Sequence, residues 1–295
     1  MSEVLTQVPL APYTSWQVGG VADQLYRVTT QSALSQFLAS LPVDEPLLWM
    51  GRGSNLLIRD GGFRGTVILL AEGLDQMSSE EAEVLSAEAG VSLARLSRQA
   101  RGMGCHDLDF LAGIPGSVGG ALAMNAGAFG GEIWDHVRSV ETIDHQGEVR
   151  REQLEDFDVG YRSVQPQEVV PERWFIGARF RCPPSEPSVP LQQQLKQRNQ
   201  TQPMGTYSCG SVFRNPEGDH AGRLIEAAGL KGLQQGGASV STQHANFIVH
   251  QGAATATDIE TLIETVQQQV LSQSGIALQP EVKIVGEAVR QEQRA

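Results

Sequence analysis

Apolar positions along this chain fall into short runs and helically spaced stripes, with glycine-rich or polar segments between them. Gln31–Leu41 puts Leu34, Phe37, Leu38 and Leu41 on one face, the spacing of an amphipathic helix. Leu93–Met103 repeats it with Leu93, Leu96 and Ala100, and Gly102 or Gly104 supplies a stop. Thr257–Ser274 carries Ile259, Leu262, Ile263, Val266 and Val270 in the same way. Ala221–Ala228 predicts a shorter helix ended by Gly229, and Leu191–Asn199 a polar one. Strands are expected around Leu25–Val28, at Leu47–Met50, Thr66–Ala71, Glu83–Ala89 and Trp174–Cys182, and at the end over Ala277–Val285. Arg138–Arg150 predicts a hairpin turning at His145-Gln146-Gly147, and Ser239–His250 a strand pair.

The elements group into two α/β units followed by an α+β domain, with no internal repeat. Pro183–Ser188 is the best candidate boundary. An entry turn, Thr14–Gly20, precedes the first strand. Two stretches resist assignment to helix or strand: Gly51-Arg52-Gly53-Ser54-Asn55-Leu56-Leu57, and Gly113-Ile114-Pro115-Gly116-Ser117-Val118-Gly119-Gly120 running on to Asn125, Ala126 and Gly127. Both read as loops whose main-chain N–H groups can lie against phosphate. The first lacks the Gly-Lys-Ser/Thr ending of a P-loop and the usual dinucleotide fingerprint, and its bland reading is a tight turn. The second is denser in glycine than a structural loop requires, although a glycine-packed helix–strand junction would also produce it. Together they point to a large dinucleotide cofactor.

Composition narrows the classes. The chain has 295 residues, 40% hydrophobic and 19% charged, ordinary for a globular protein. A net charge of -12 without a basic block argues against general nucleic-acid binding. Three cysteines, Cys105, Cys182 and Cys209, fit no zinc or redox spacing and read as reduced thiols of a cytoplasmic protein. The six histidines suggest no metal site. No signal peptide is visible at Met1-Ser2-Glu3-Val4, and no run approaches the roughly 18 apolar residues of a membrane span.

Three further positions carry possible chemistry. Ser211 lies in Ser208-Cys209-Gly210-Ser211-Val212-Phe213-Arg214-Asn215-Pro216; an isolated serine there is ordinarily a turn residue, and the nucleophile-elbow pattern is missing. Glu281, inside the last apolar run, is either the wet side of an edge strand, which composition favours, or a functional acid. Arg162, after Tyr161, is by itself a surface arginine.

Taken in order, these segments resemble the UDP-N-acetylenolpyruvoylglucosamine reductase (MurB) family of peptidoglycan precursor synthesis. The resemblance rests on Thr14–Ala22, Gly51–Asp60, Ala112–Gly130, Tyr161-Arg162-Ser163, Gly210–Pro216, Ala221–Gly232 and Pro280–Gly286, nearly the whole chain. Length and the Gly210–Pro216 context are closer to the shorter, type II form. Tyr207 departs from the family, where proline is usual. The resemblance implies an α+β fold: FAD-binding subdomains of the vanillyl-alcohol-oxidase-like (PCMH) type at 1–78 and 79–185, then a MurB-type C-terminal α+β substrate domain at 186–295.

It implies non-covalent FAD held by Gly51, Arg52, Gly53, Ser54, Asn55 and Leu56 and by Gly113, Ile114, Pro115, Gly116, Ser117, Gly120, Asn125 and Gly127. It implies NADPH as reductant, and hydride transfer from flavin N5 to the terminal carbon of an enolpyruvyl group on UDP-N-acetylglucosamine. Charge then builds beside the substrate carboxylate, where a cation and a proton donor are needed. The family's roles fall on Arg162 for that charge, Ser211 for the proton and Glu281 for stabilising the intermediate. Tyr161, Arg198, Arg214 and Asn215 become substrate contacts, Arg198 only by its distance from Gly210–Pro216. A monomer without nucleic-acid, membrane or metal partners is expected. Two other readings remain at this level: a sugar or alcohol oxidase with covalently attached FAD, for which Cys105 and His106 lie just before the second glycine stretch, and a non-enzymatic flavin-binding regulator.

Overall fold

The computed structural model describes residues 3–79, 81–187 and 189–289, so Ser188 at the end of the expected linker lies outside the described residues. The chain divides into two compact units. One takes the start of the chain through Leu5, then Leu25–Arg52 and Thr66–Arg198; the other takes Thr6–Gln24, Gly53–Gly65 and the chain from Asn199 onward.

In the first unit, α1 (Gln31–Ser40) starts at Thr30, whose side chain accepts from Ala33 N–H, and it buries Leu34 and Leu38. Phe37 from the same face stacks on Tyr26 with ring centroids 3.8 Å apart. Leu47–Met50 runs parallel to Thr66–Leu69. A five-stranded sheet follows in the order Val149–Gln153, Val137–Asp144, Arg173–Arg181, Val84–Glu88, Met77–Ser78, antiparallel throughout. The expected hairpin is there: Ile143 pairs with Val149 across a turn in which Asp144 Oδ1 accepts from Gln146 and Glu148 N–H. Helices α2 (Leu93–Gly102) and α3 (Val118–Ala123) bury Leu93, Leu96, Val118 and Leu122 in one core with Leu85, Val140 and Phe180 of the sheet. The polar helix α4 (Leu191–Thr201) ends this part of the chain.

In the second unit, α5 (Ala221–Ala227) gives way at Gly229, φ +71°. Helix α6 (Ala256–Ser274) is capped at both ends, by the Thr255–Asp258 box and by Gly275 at φ +73°. Its buried face includes Ile259, Leu262, Ile263, Val266 and Val270, as the spacing predicts. Asp60 accepts from Ala256 and Thr257 N–H, which satisfies donors that the helix start leaves over. The helix packs with Trp16, Leu57, Phe213 and Ile225 in one core, beside a three-stranded sheet of Gln234–Gln235, Ala238–Val240 and Ile248–Val249.

Two expectations are corrected, and one strand pair was not expected. The second glycine stretch is not loop throughout, because residues 118–123 close into α3. Val118 and Gly119 N–H donate to Val91 and Ala89 O, and a Cβ on Gly119 would come 2.8 Å from Ala89 Cβ, so this glycine buys close packing. The last strand is only Lys283–Val285, paired in parallel with Leu56–Ile58. Pro280 has no N–H to extend a ladder, and the residues before Lys283 bond instead to residues 212–214. Tyr161 and Arg162 lie between two short paired strands, Phe157–Gly160 and Ser163–Pro166, that hydrophobic alternation did not reveal. Among the described residues, no helix is long and apolar enough to cross a membrane.

Candidate active site

In the first unit, strand Leu47–Met50 delivers Gly51 onto Ser117, so the two glycine stretches meet. A Cβ on Gly51 would stand 2.1 Å from Ser117 Oγ. The contact is fixed from behind by Leu93 N–H donating to Gly116 O and by the α3 bonds to Ala89 and Val91. Ser117 Oγ is buried and has no hydrogen-bond partner among the described residues. Leaving such a group unpaired costs about 1–3 kcal/mol. An oxygen-rich ligand on the glycine turns would supply the bond, and a dinucleotide phosphate fits that requirement. Arg52, Pro115 and Gly120 are exposed around it, with Ile114 half-buried.

Arg198 reaches this region from α4: its Cδ and Nη1 both lie 3.3 Å from where a Gly113 Cβ would be, and burial lowers its pKa. Its placement beside the second glycine stretch was not foreseen. Arg162 is no ordinary surface residue. Its backbone is left-handed at φ +53°, and its guanidinium donates to Asn125 O at 2.9 Å and Gly127 O at 2.8 Å. Glu132 lies 3.8 Å away and the ring of Tyr161 packs at 4.9 Å. Asn125, itself at φ +45°, spends its amide on Glu132 Oε2, Gly160 O and Trp134 N–H.

The second unit gathers the other motifs. Gly53, at φ +58°, leaves no room for a side chain, since a Cβ would be 2.0 Å from Tyr13 O. Ser54 is half-buried beside it. Asn55 Nδ2 donates to Glu281 O at 3.0 Å, and Leu56 begins the strand paired with Lys283–Val285. Glu281 N–H donates to Val212 O at 2.7 Å and Arg214 N–H to Gln279 O at 2.9 Å. The edge-strand reading of Glu281 is therefore replaced: its main chain joins the segment that follows Ser211. Arg214 keeps a buried Nε with no partner among the described residues. Asn215 Oδ1 accepts from Ala221 N–H at the start of α5.

Ser211 lines a cleft of about 410 Å³ with Asn215, Arg223, Lys231, His244 and Asn246. Of these the sequence singled out only Ser211 and Asn215. Burial, then the nearby Lys231 cation, lowers the pKa of His244. Its Nδ1 accepts from Asn246 N–H, which leaves the proton of the neutral ring on Nε2. Cys209 is inert: burial pushes its thiol up to about 12. Tyr207 N–H donates to His250 O at 3.1 Å, a bond that proline could not make.

Residues 22–152 match a family model described as an FAD binding domain. With the glycine cradle and its orphan hydroxyl, this defines an FAD-dependent oxidoreductase. Residues 202–285 match the model of the UDP-N-acetylenolpyruvoylglucosamine reductase C-terminal domain. The chain is 55% identical to the UDP-N-acetylenolpyruvoylglucosamine reductase of Alkalilimnicola ehrlichii, covering 95% of this chain and 94% of that one. It is 50% identical to the enzyme of that name from Legionella pneumophila strain Paris, covering 97% and 94%. The crystal structure of the Thermus caldophilus UDP-N-acetylenolpyruvylglucosamine reductase superposes with a TM-score of 0.76 at 34% identity, covering 96% of this chain and 98% of that one. The chain belongs to the UDP-N-acetylenolpyruvoylglucosamine reductase family.

Proposed function

We propose that the protein reduces UDP-N-acetylglucosamine enolpyruvate to UDP-N-acetylmuramate for peptidoglycan synthesis, with FAD as its cofactor and NADPH as the source of electrons. When bound and reduced, FAD would supply the hydride for the terminal carbon of the substrate double bond. Ser211 holds the proton that completes the reduction at the carbon beside the carboxylate. A hydroxyl is a weak acid, but it faces a strongly basic carbon. Arg162 offsets the charge that gathers on the carboxylate. Glu281 stabilises the same species, in protonated form if it donates a hydrogen bond.

Residues 1–78 and 79–185 hold the cofactor in this reading, and 186–295 the substrate. Tyr161, Arg198, Arg214 and Asn215 are the substrate contacts, and the protein works as a cytoplasmic monomer. The cofactor is held without a covalent bond. Cys105 is fully buried, and His106 Nδ1 is engaged with Asp109 at 3.2 Å. One observation carries the assignment of the acid groups: the 2.7 Å bond from Glu281 N–H to Val212 O, which ties the Ser211 and Glu281 segments together.

Separating the two half-reactions tests it. In Ser211→Ala, anaerobic NADPH should bleach the flavin at the parental rate, and the enolpyruvyl substrate should reoxidise it about 100-fold or more slowly, the usual worth of general acid catalysis. Equal loss in both half-reactions contradicts the proton-donor role. A yellow, folded protein whose NADPH oxidation ignores the substrate sinks the reductase reading altogether.

A further inference from the structure

Asn246 is 4% exposed and sits in the connection between strands Ala238–Val240 and Ile248–Val249. That connection is braced internally. Ser241 N–H donates to Phe247 O, Ser241 Oγ accepts from Gln243 and His244 N–H, and Asn246 N–H donates to His244 Nδ1. From this platform Asn246 grips the residues that follow Ser211 in three places. Its carbonyl accepts from Val212 N–H at 2.9 Å, its Oδ1 from Phe213 N–H at 2.9 Å, and its Nδ2 donates to Phe213 O at 2.8 Å. The amide thus acts as a short strand against Phe213, using one donor and one acceptor on one residue.

The opposite side of the same segment carries Glu281. Val212 O accepts from Glu281 N–H, and Arg214 N–H donates to Gln279 O around the Phe213–Pro280 bridge. Val212 and Phe213 are 1% and 2% exposed, so water cannot replace a lost partner. We infer that Asn246 is a positioning residue: its side-chain amide fixes the 212–213 main chain and thereby holds Ser211 and Glu281 in register for the second half-reaction. It does not touch the reacting atoms in this scheme. The inference rests on the reading of Ser211 and Glu281 given under Proposed function.

The decisive variant is the near-isosteric Asn246→Asp, with Asn246→Ala and Ser211→Ala beside it, each as the FAD-loaded protein. An ionised carboxylate accepts from Phe213 N–H but repels Phe213 O; a protonated one donates to that oxygen and restores the pair. Burial raises the carboxyl's pKa above its usual value of about 4. The rate of substrate-driven flavin reoxidation, taken relative to the parent at each pH, should therefore be low for N246D at neutral pH and climb as pH falls. NADPH bleaching should stay within about 2-fold of the parent. A displacement of this kind costs about 100-fold, and N246A should show that loss at every pH. If N246A does not fold, N246D carries the decision alone.

Parental reoxidation in N246D, a loss without recovery in acid, or equal slowing of both half-reactions overturns the inference, the last marking a merely structural residue. If instead S211A reoxidises normally, the proton-donor reading fails. Acid recovery in N246D would then keep Asn246 as the residue that positions Glu281, and its absence would remove both.

Discussion

The two units prepare for ligands in opposite ways. In the first, the candidate site centres on what is missing: a side chain at Gly51, and a hydrogen-bond partner for Ser117 Oγ among the described residues. In the second, around Ser211, most of the side chains are already bonded within the protein, as Asn246 and Asn215 show, although Arg214 keeps a buried Nε without a partner among the described residues. The first arrangement waits for a ligand to complete it. The second is pre-organised, which suits a step that depends on the placing of one proton.

The largest test of the contrast is Gly51→Val. A side chain there collides with Ser117 Oγ, and overpacking of about 1–3 kcal/mol corresponds to roughly 5- to 150-fold weaker FAD binding. The purified protein should be pale, as read by flavin absorbance per polypeptide; full yellow occupancy would show that the turn does not need glycine.

Ser117→Ala sharpens the point with opposite signs for two measurements. Removing an unpaired buried hydroxyl should raise the thermal midpoint of the FAD-free protein, while a lost bond of about 0.5–1.5 kcal/mol should weaken FAD binding by roughly 2- to 13-fold. A fall in both would mean that the hydroxyl is already satisfied without cofactor.

The smallest effect is expected at the rim of the second site. Asp219 is held down at about 2, first by its bond with Arg223 and then by His220 N–H. A depressed carboxyl stabilises the fold above its unfolded pKa of about 4, and that contribution is lost as pH falls through the folded value. Asp219→Asn should therefore melt slightly below the parent at neutral pH, with the gap closing in acid. The pair is exposed, so salt should narrow it as well. A gap that widens in acid would reverse the assignment.

Amphipathic helices were the readable part of the sequence, because α1, α2 and α6 each bury one stripe and tertiary contacts agree with it. Glu281 was misread because Pro280 looks harmless inside an apolar run, while the bonds that replace the ladder come from residues 212–214, far away in sequence. Arg162 was invisible as a held residue because its acceptors are main-chain oxygens at 125 and 127, which carry no residue signature. Asn246 left no sign at all: a lone asparagine between apolar residues has no spacing to recognise, and only the fold brings Phe213 to it. The glycine stretches were visible as composition, but their meeting at Ser117 was not.

Trp16 illustrates a cost of this chain order during synthesis. Its indole N–H donates to Ile248 O at 2.9 Å, and Trp16 O accepts from His250 Nε2–H at 2.5 Å. These partners are separated by 232 and 234 positions. At about 5–20 residues per second, a ribosome would take roughly 10–50 s to deliver them after Trp16 has been made. For that interval a large apolar side chain has no core to enter. Completion of the core around Trp16 thus waits until residues 248–250 have been made.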